Sequence, residues 1–90
     1  MFDDEETLQR LAQTGNPLAI FNLGRKRLQE GKKEEARKYF EQAAARGHLG
    51  GMFKLGEVSL ELGDKETAKT WLQKAAERGH KKAAELLKDL

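Results

Sequence analysis

Residues 36–48 have the sequence ARKYFEQAAARGH, and residues 68–80, which follow 32 positions later, have the sequence AKTWLQKAAERGH. The same period separates three glycines, Gly15, Gly47 and Gly79. A repeat of this length is one supersecondary unit that cannot bury its own apolar face, so successive copies must stack. The sequence therefore predicts an all-α fold in which paired helices form an α/α superhelical array.

The glycines also divide the chain into helices, because apolar residues recur at helical spacing between them and glycine favours a left-handed helix stop. We predict six antiparallel helices, which extend to about residue 14 and over about 17–30, 33–46, 49–62, 65–78 and 81–90. The first, third and fifth are called B helices, and the others A helices. One domain, 1–90, is expected, with a half repeat (1–14), two repeats (15–46 and 47–78) and a capping helix (79–90). Asp3 followed by Glu6 predicts a capping box at the first helix.

Two glycines stand inside the predicted A helices, Gly24 and Gly56. A glycine in a helix interior costs about 1 kcal/mol relative to alanine. Its recurrence in both copies predicts that a B helix crosses there too closely for a side chain. In the third copy this position is Lys88, and the position of the repeated phenylalanine is Glu85. Charge at these positions is typical of a solubilising terminal cap, so we expect a complete short array.

The composition excludes several classes of function. The chain has no cysteine, which excludes disulfides and thiolate chemistry, and its net charge is only +2. The segment after Met1 is acidic rather than basic, and the apolar runs are too short to cross a bilayer. We therefore expect a cytoplasmic monomer with no membrane segment.

Basic residues are concentrated in the first repeat, which has a net charge of +4, whereas the second repeat is neutral. A solvated helix surface with charge pairs four residues apart is the favoured interpretation. A patch for nucleic acid or an acidic peptide is the alternative. Because the second repeat does not continue the basic stripe, nucleic acid is not the expected partner.

The strings AIFNLG at 19–24 and AKTWLQKAAERGH at 68–80 resemble Sel-one-like repeats, a branch of the tetratricopeptide superfamily. The shared pattern is Ala-x-aromatic-x-Leu-Gly on helix A, then Ala-x-x-Trp-apolar-x-Lys-Ala-Ala-x-x-Gly on helix B. Arg27 and Ser59 depart from it, because such repeats usually place an aromatic residue there. The resemblance implies a scaffold whose A helices line a concave face that receives a protein or peptide partner.

Four residues are the predicted partner-binding set, namely Phe21, Arg25, Phe53 and Glu57. The two phenylalanines either complete the core between helices or stand partly exposed on the concave face as apolar anchors. Arg25 and Glu57 follow them by four residues, on the same helix face, and would orient the partner. The tetratricopeptide carboxylate clamp requires Lys and Asn on this face, so the four residues do not support that class of ligand.

Catalytic and metal chemistry are not expected. His48 and His80 lie one repeat apart after turn glycines, and neither has a second ligand at helical spacing. Ser59 is the only serine and has no histidine nearby in the sequence. We therefore expect no enzyme activity, no catalytic residue, no metal site and no cofactor.

Three classes of function remain from the sequence. A non-catalytic scaffold that binds a protein or peptide is favoured. An engineered or designed scaffold of the same family, with no native ligand, is the alternative that short uniform loops and idealised helix composition suit. RNA binding by stacked repeats ranks last because the paired positions do not match between copies.

Overall fold

The computed structural model describes residues 4–90, which form six α-helices joined by three-residue turns and contain no β-strand. The helices are α1 (Glu5–Gln13), α2 (Pro17–Gln29), α3 (Lys33–Ala45), α4 (Leu49–Glu61), α5 (Lys65–Glu77) and α6 (Lys81–Lys88). The A helices are α2, α4 and α6. Each helix ends one or two residues before its predicted end, and the predicted all-α repeat architecture is confirmed.

The turns are short because one residue both ends a helix and starts the next. At the third turn, Gly47 has a φ of +81°, a conformation that glycine adopts without steric cost. The N–H of His48 then donates to the carbonyl of Ala43 at 3.1 Å, which closes the end of α3. The Nδ1 atom of His48 accepts a hydrogen bond from the N–H of Gly51 at 2.9 Å, which caps the start of α4. Because the same turn residue closes one helix and caps the next, consecutive helices lie side by side and run antiparallel.

Acidic side chains cap two of the B helices. Asp4 caps α1 by accepting from the N–H of Glu6 at 3.2 Å, whereas Asp3, the cap expected from the sequence, lies outside the described residues. Asp64 caps α5 through the N–H of Thr67 at 3.2 Å and also accepts from Nη2 of Arg37 at 2.8 Å. Hydrogen bonds from Thr67 and then from Arg37 lower the pKa of Asp64 below its usual value.

Consecutive helices pack on one another, and their shared surfaces form the core. Phe40, Leu55 and Leu72 lie fully buried in the larger cluster, and Leu8 and Leu23 belong to a smaller one near α1. The longest dimension of the molecule is 38 Å. Because a 13-residue helix is only about 20 Å long, this dimension runs across the helices, along the array.

The two interior glycines mark the closest approaches between A and B helices. A Cβ atom placed on Gly24 would lie 2.6 Å from Cε1 of Phe40, and one on Gly56 would lie 2.6 Å from Cγ of Leu72. Both distances are too short for non-bonded carbon atoms. The predicted reason for these glycines, a crossing B helix, is therefore present in both repeats.

Ion pairs neutralise much of the basic charge of the first repeat. Arg27 donates to Oε1 of Glu5 at 3.0 Å and to Oε1 of Glu30 at 3.2 Å, and Nζ of Lys32 lies 3.6 Å from Glu30. The hydrogen bond with Glu5 raises the pKa of Arg27 and lowers the pKa of Glu5. These pairs reduce the positive charge that the first repeat offers to a polyanion.

Candidate partner-binding surface

The four predicted partner-binding residues lie on equivalent positions of α2 and α4. Phe21 and Arg25 are one helical turn apart on α2, and Phe53 and Glu57 occupy the same positions of α4. Phe21, Phe53 and Glu57 are half-buried and Arg25 is exposed. The structure thus brings the four residues onto one side of the array, which we call the A face.

Each phenylalanine ring packs against the histidine that caps the next A helix. The ring centroid of Phe21 lies 4.7 Å from that of His48 and 5.7 Å from that of Phe40. Phe53 stacks on His80 with a centroid distance of 4.3 Å and an interplanar angle of 19°. The rings therefore border the core and leave part of their surface on the A face.

The two histidines have the same structural role. Nδ1 of His80 accepts from the N–H of Ala83 at 3.1 Å, as Nδ1 of His48 accepts from the N–H of Gly51 at 2.9 Å. A nitrogen that accepts a hydrogen bond carries no proton, so both caps require neutral imidazole. Burial lowers the pKa of His48, which favours that neutral form.

Arg25 and Glu57 do not contact each other through an ion pair. The guanidinium carbon of Arg25 lies 5.9 Å from the ring centroid of Phe21, within the range of a cation–π interaction. Glu57 accepts from Nζ of Lys54 at 3.1 Å, and both side chains of that pair are about one third exposed. Lys54 therefore adds a positive charge to the A face beside Glu57.

A groove of about 340 Å³ opens on the A face between α2 and α4, lined by Arg25, Leu28, Gln29 and Lys54. Of the predicted residues, only Arg25 borders it. Leu18 lies seven residues before Arg25 on the same face, and among the described residues it is the one exposed large apolar residue, with 48% of its surface accessible.

Helical spacing places Leu28 on the apolar inner face of α2, where it packs against the core, but the pattern shared by the two copies does not indicate Leu18 or Lys54 as surface residues. The equivalent of Leu18 in the second copy is Gly50, so a search for residues shared by both copies passes over it. Lys54 stands where the first copy has Asn22, so the same comparison does not indicate it. A signal was nevertheless available, because helical spacing places Leu18 three residues before Phe21 on the same face.

No metal or membrane site is evident in the described part of the chain. Residues 4–90 contain no group of three or more His, Cys, Asp or Glu side chains arranged to hold a metal ion. Nor is any helix within these residues long and apolar enough to span a bilayer. Ser59 is fully buried, and its hydroxyl has no hydrogen-bond partner among the described residues.

Two segments of the chain, 18–46 and 50–78, match the family model described as "Tetratricopeptide repeat". The matched segments cover more than half of the chain, and each spans one A helix and the B helix that follows it. No curated protein and no solved structure matches the chain.

Proposed function

Because this chain belongs to the tetratricopeptide repeat family, whose repeats generally mediate protein–protein interaction, we propose that it is a non-catalytic scaffold that binds a partner through its A face. The partner is a segment of another protein or a peptide. The proposed contact residues are Phe21, Arg25, Phe53 and Glu57, together with Leu18 and the groove residue Leu28.

The observation that carries this proposal is the combination of apolar surface and oriented charge on the A face. Leu18 offers an exposed apolar side chain near the start of α2, and the groove lies about two helical turns further along the same helix. Arg25 and Lys54 border that groove with positive charge. An apolar contact beside charged groups is the usual composition of a peptide-binding site, because apolar burial gives affinity and charge sets orientation.

The side chains considered for catalysis support a non-catalytic role. The hydroxyl of Ser59 is inaccessible and, within residues 4–90, has no base beside it, so it cannot be activated as a nucleophile. The imidazoles of His48 and His80 use Nδ1 to cap helices. These groups stabilise the fold and are not arranged around a common reacting atom.

Peptide selection tests the proposal directly. Peptides selected against the immobilised protein from a displayed random library should bind it in solution, and their amide chemical-shift changes should map to α2 and α4. The double variant Arg25→Ala with Glu57→Ala should weaken those peptides about fivefold or more, since the orienting charges are lost. Its thermal midpoint should barely change, because Arg25 is exposed, the ion pair of Glu57 with Lys54 is about one third exposed, and such surface charges contribute little stability.

The matched control carries the same loss of one positive and one negative charge on B helices, Glu35→Ala with Lys69→Ala. Both side chains are exposed, and the ion pairs of the described residues do not include either of them. Peptide affinity should be unchanged in this control. If it falls as much as in the A-face variant, or if the shifts map to the B helices, the A face is not the binding surface.

A designed scaffold without a native ligand is the second candidate. It is favoured by the uniform geometry of the array, in which α2, α3, α4 and α5 each have 13 residues and all turns have three. The unsatisfied hydroxyl of Ser59 opposes it, since idealised cores leave no buried polar atom without a partner. If the library yields no peptide that binds the A face, this candidate is favoured.

The branch of the family, the repeat boundaries, the oligomeric state and the cellular location are also proposals. We place the chain in the Sel-one-like branch because Ala19, Phe21, Leu23 and Gly24 match its helix A pattern. Repeats at 15–46 and 47–78 are the corresponding units. A monomer in the cytoplasm is proposed because a chain without cysteine gains no stability from an oxidising compartment.

A further inference from the structure

The charges of this chain are separated between the two edges of the array at which the helices turn. One edge is formed where B helices end and A helices begin, around Gly15, Gly47 and Gly79. Within five residues of these glycines the chain has one acidic residue, Glu77, and six basic residues. The six define what we call the basic edge: Arg10, Arg46, Lys74, Arg78, Lys81 and Lys82.

All six basic side chains are exposed. None of them lies within 4.0 Å of a carboxylate belonging to residues 4–90. Three of them make other contacts: Arg46 donates to the carbonyl of Gln42 at 3.3 Å, Arg78 donates to that of Gly47 at 2.6 Å, and Lys74 lies 4.5 Å from the ring centroid of Trp71. These contacts hold the side chains in place without neutralising their charge.

The opposite edge is nearly neutral in net charge. It is formed where A helices end and B helices begin, around Gly31 and Gly63, and its acidic residues outnumber its basic ones. Arg27 and Lys32 on this edge are in ion pairs with Glu5 and Glu30. Lys26, Lys33 and Lys65 on this edge are in no ion pair among the described residues. Within five residues of Gly31 and Gly63 there are nevertheless six acidic and five basic residues, so the charges of this edge nearly cancel, whereas the basic edge has six positive charges and one negative charge.

Four of the six basic residues lie around the α5–α6 turn, and the other two, Arg10 and Arg46, lie at the end of α1 and at the α3–α4 turn. The six belong to α1, the α3–α4 turn, and α5 with the start of α6, so they span the 38 Å length of the molecule. A compact anion could contact only one of these groups. A linear polyanion laid along the edge could contact all of them, and an extended peptide of about 11 residues has the required length.

We propose that the basic edge binds an acidic peptide segment of a partner protein, extended along the array. Carboxylate side chains are favoured over nucleic acid for two reasons. Base stacking would require a free aromatic face, but Phe21 and Phe53 pack on His48 and His80, and Nζ of Lys74 lies over the ring of Trp71, 4.5 Å from its centroid. The capped N–H groups of Gly51 and Ala83 are likewise not free to hold phosphate oxygens.

This surface is separate from the A-face groove, so the inference does not rest on the proposed function. An acidic segment on the edge and an apolar segment on the A face could belong to one partner. Charge on the edge would then steer the encounter and make it sensitive to salt.

The test uses a fluorescein-labelled peptide of about 12 residues that alternates glutamate and serine. Fluorescence anisotropy should detect binding, which should weaken about tenfold or more between about 0.05 and 0.3 M salt as the charges are screened. The same peptide with glutamine in place of glutamate should not bind.

The decisive variant reverses three charges on the edge: Arg10→Glu, Lys81→Glu and Lys82→Glu. Arg46 and Arg78 are kept because their hydrogen bonds to carbonyl groups contribute to the fold. The matched control reverses Lys33, Lys65 and Lys88 to Glu on the opposite edge, with the same change in net charge and similar helix positions: two starting residues and one in a last turn.

Peptide affinity should fall about tenfold or more in the edge variant, because three exposed charges that each contribute modestly are reversed. In the control it should fall less than about threefold, because the reversed charges lie far from the peptide and are screened. Equal losses in the two variants would overturn the proposal, because they would reflect net charge alone. The protein could instead bind an oligothymidylate strand or phosphatidylserine vesicles but not the peptide, and lose that binding in the edge variant. This result would overturn the assignment to a peptide. The double variant Arg25→Ala with Glu57→Ala should leave the peptide affinity unchanged, which separates this test from that of the A face.

Discussion

One leucine position occurs three times in the array with different burial, and this allows a controlled test of the core. Leu23 and Leu55 are at most 1% exposed, whereas Leu87, the equivalent residue of α6, is half-buried because the described chain has no B helix packed beyond it. Substitution of each by alanine removes the same atoms. Leu55→Ala should lower the free energy of unfolding by about 2–5 kcal/mol, since it loses apolar burial and leaves a cavity.

The loss at Leu87→Ala should be about half as large, because part of that side chain already contacts water. For a domain of this size, the change at Leu55 corresponds to a fall in the thermal midpoint of about 10–25 °C. Urea unfolding followed by far-UV circular dichroism gives the free energies, and the slope against urea should stay constant if only stability changes.

Equal losses at Leu55 and Leu87, or an unchanged midpoint for Leu55→Ala, would refute this account. The first result would mean that the end of the array is packed as tightly as its middle. The second would remove Leu55 from the core and with it the alignment of the repeats.

Three further predictions concern other features of the core and the turns. Gly56→Leu should destabilise the protein by about 1–3 kcal/mol because the side chain overpacks against α5, although leucine forms helices better than glycine. Lys88→Leu, at the equivalent position of α6, should leave stability nearly unchanged. Equal effects of the two substitutions would contradict the close crossing at Gly56. Ser59→Ala should raise the free energy of unfolding by about 1 kcal/mol in the same urea assay, since it removes a buried hydroxyl without a partner, and a loss of stability would show that the hydroxyl is satisfied. Burial lowers the pKa of His48 in the folded state, so its contribution is complete above the unfolded pKa near 6.5 and is lost as pH falls below it. Thermal midpoints measured between about pH 5 and 8 should show this loss, and His48→Asn should reduce the dependence of the midpoint on pH.

The helices could be predicted from the sequence because their ends are encoded locally. Gly47 permits the left-handed turn, and the polar residue after it closes one helix and caps the next. The close crossings at Gly24 and Gly56 were also predictable, because a costly residue that recurs at one offset needs a packing reason.

The candidate site was less predictable because its contacts join residues distant in the chain. The stacking of Phe53 on His80 spans 27 positions, and no local pattern indicates it. The exposed Leu18 has Gly50 as its equivalent in the second copy, so it is a difference between copies rather than a shared feature.

Arg27 and Ser59 show most clearly where comparison of the copies is insufficient. They occupy equivalent positions, but Arg27 reaches the carboxylate of Glu5, whereas Ser59 is completely buried. The equivalent of Glu5 in the second copy is Arg37, which is paired with Asp64 instead. The environment of a repeated position therefore depends on its neighbours in the adjacent repeat, which the period alone does not determine.

The packing of each helix mainly on its neighbours in the sequence has a consequence for how the chain folds and opens. Most contacts join segments that are close in the sequence, so little loop-closure entropy is lost before the first stable contacts form, and folding should be rapid. The same arrangement makes the terminal helices α1 and α6, each packed on one principal neighbour, the easiest parts to open. In native-state hydrogen exchange, protection should rise from both ends toward α3 and α4, so that the array opens from its ends inward while its centre remains folded.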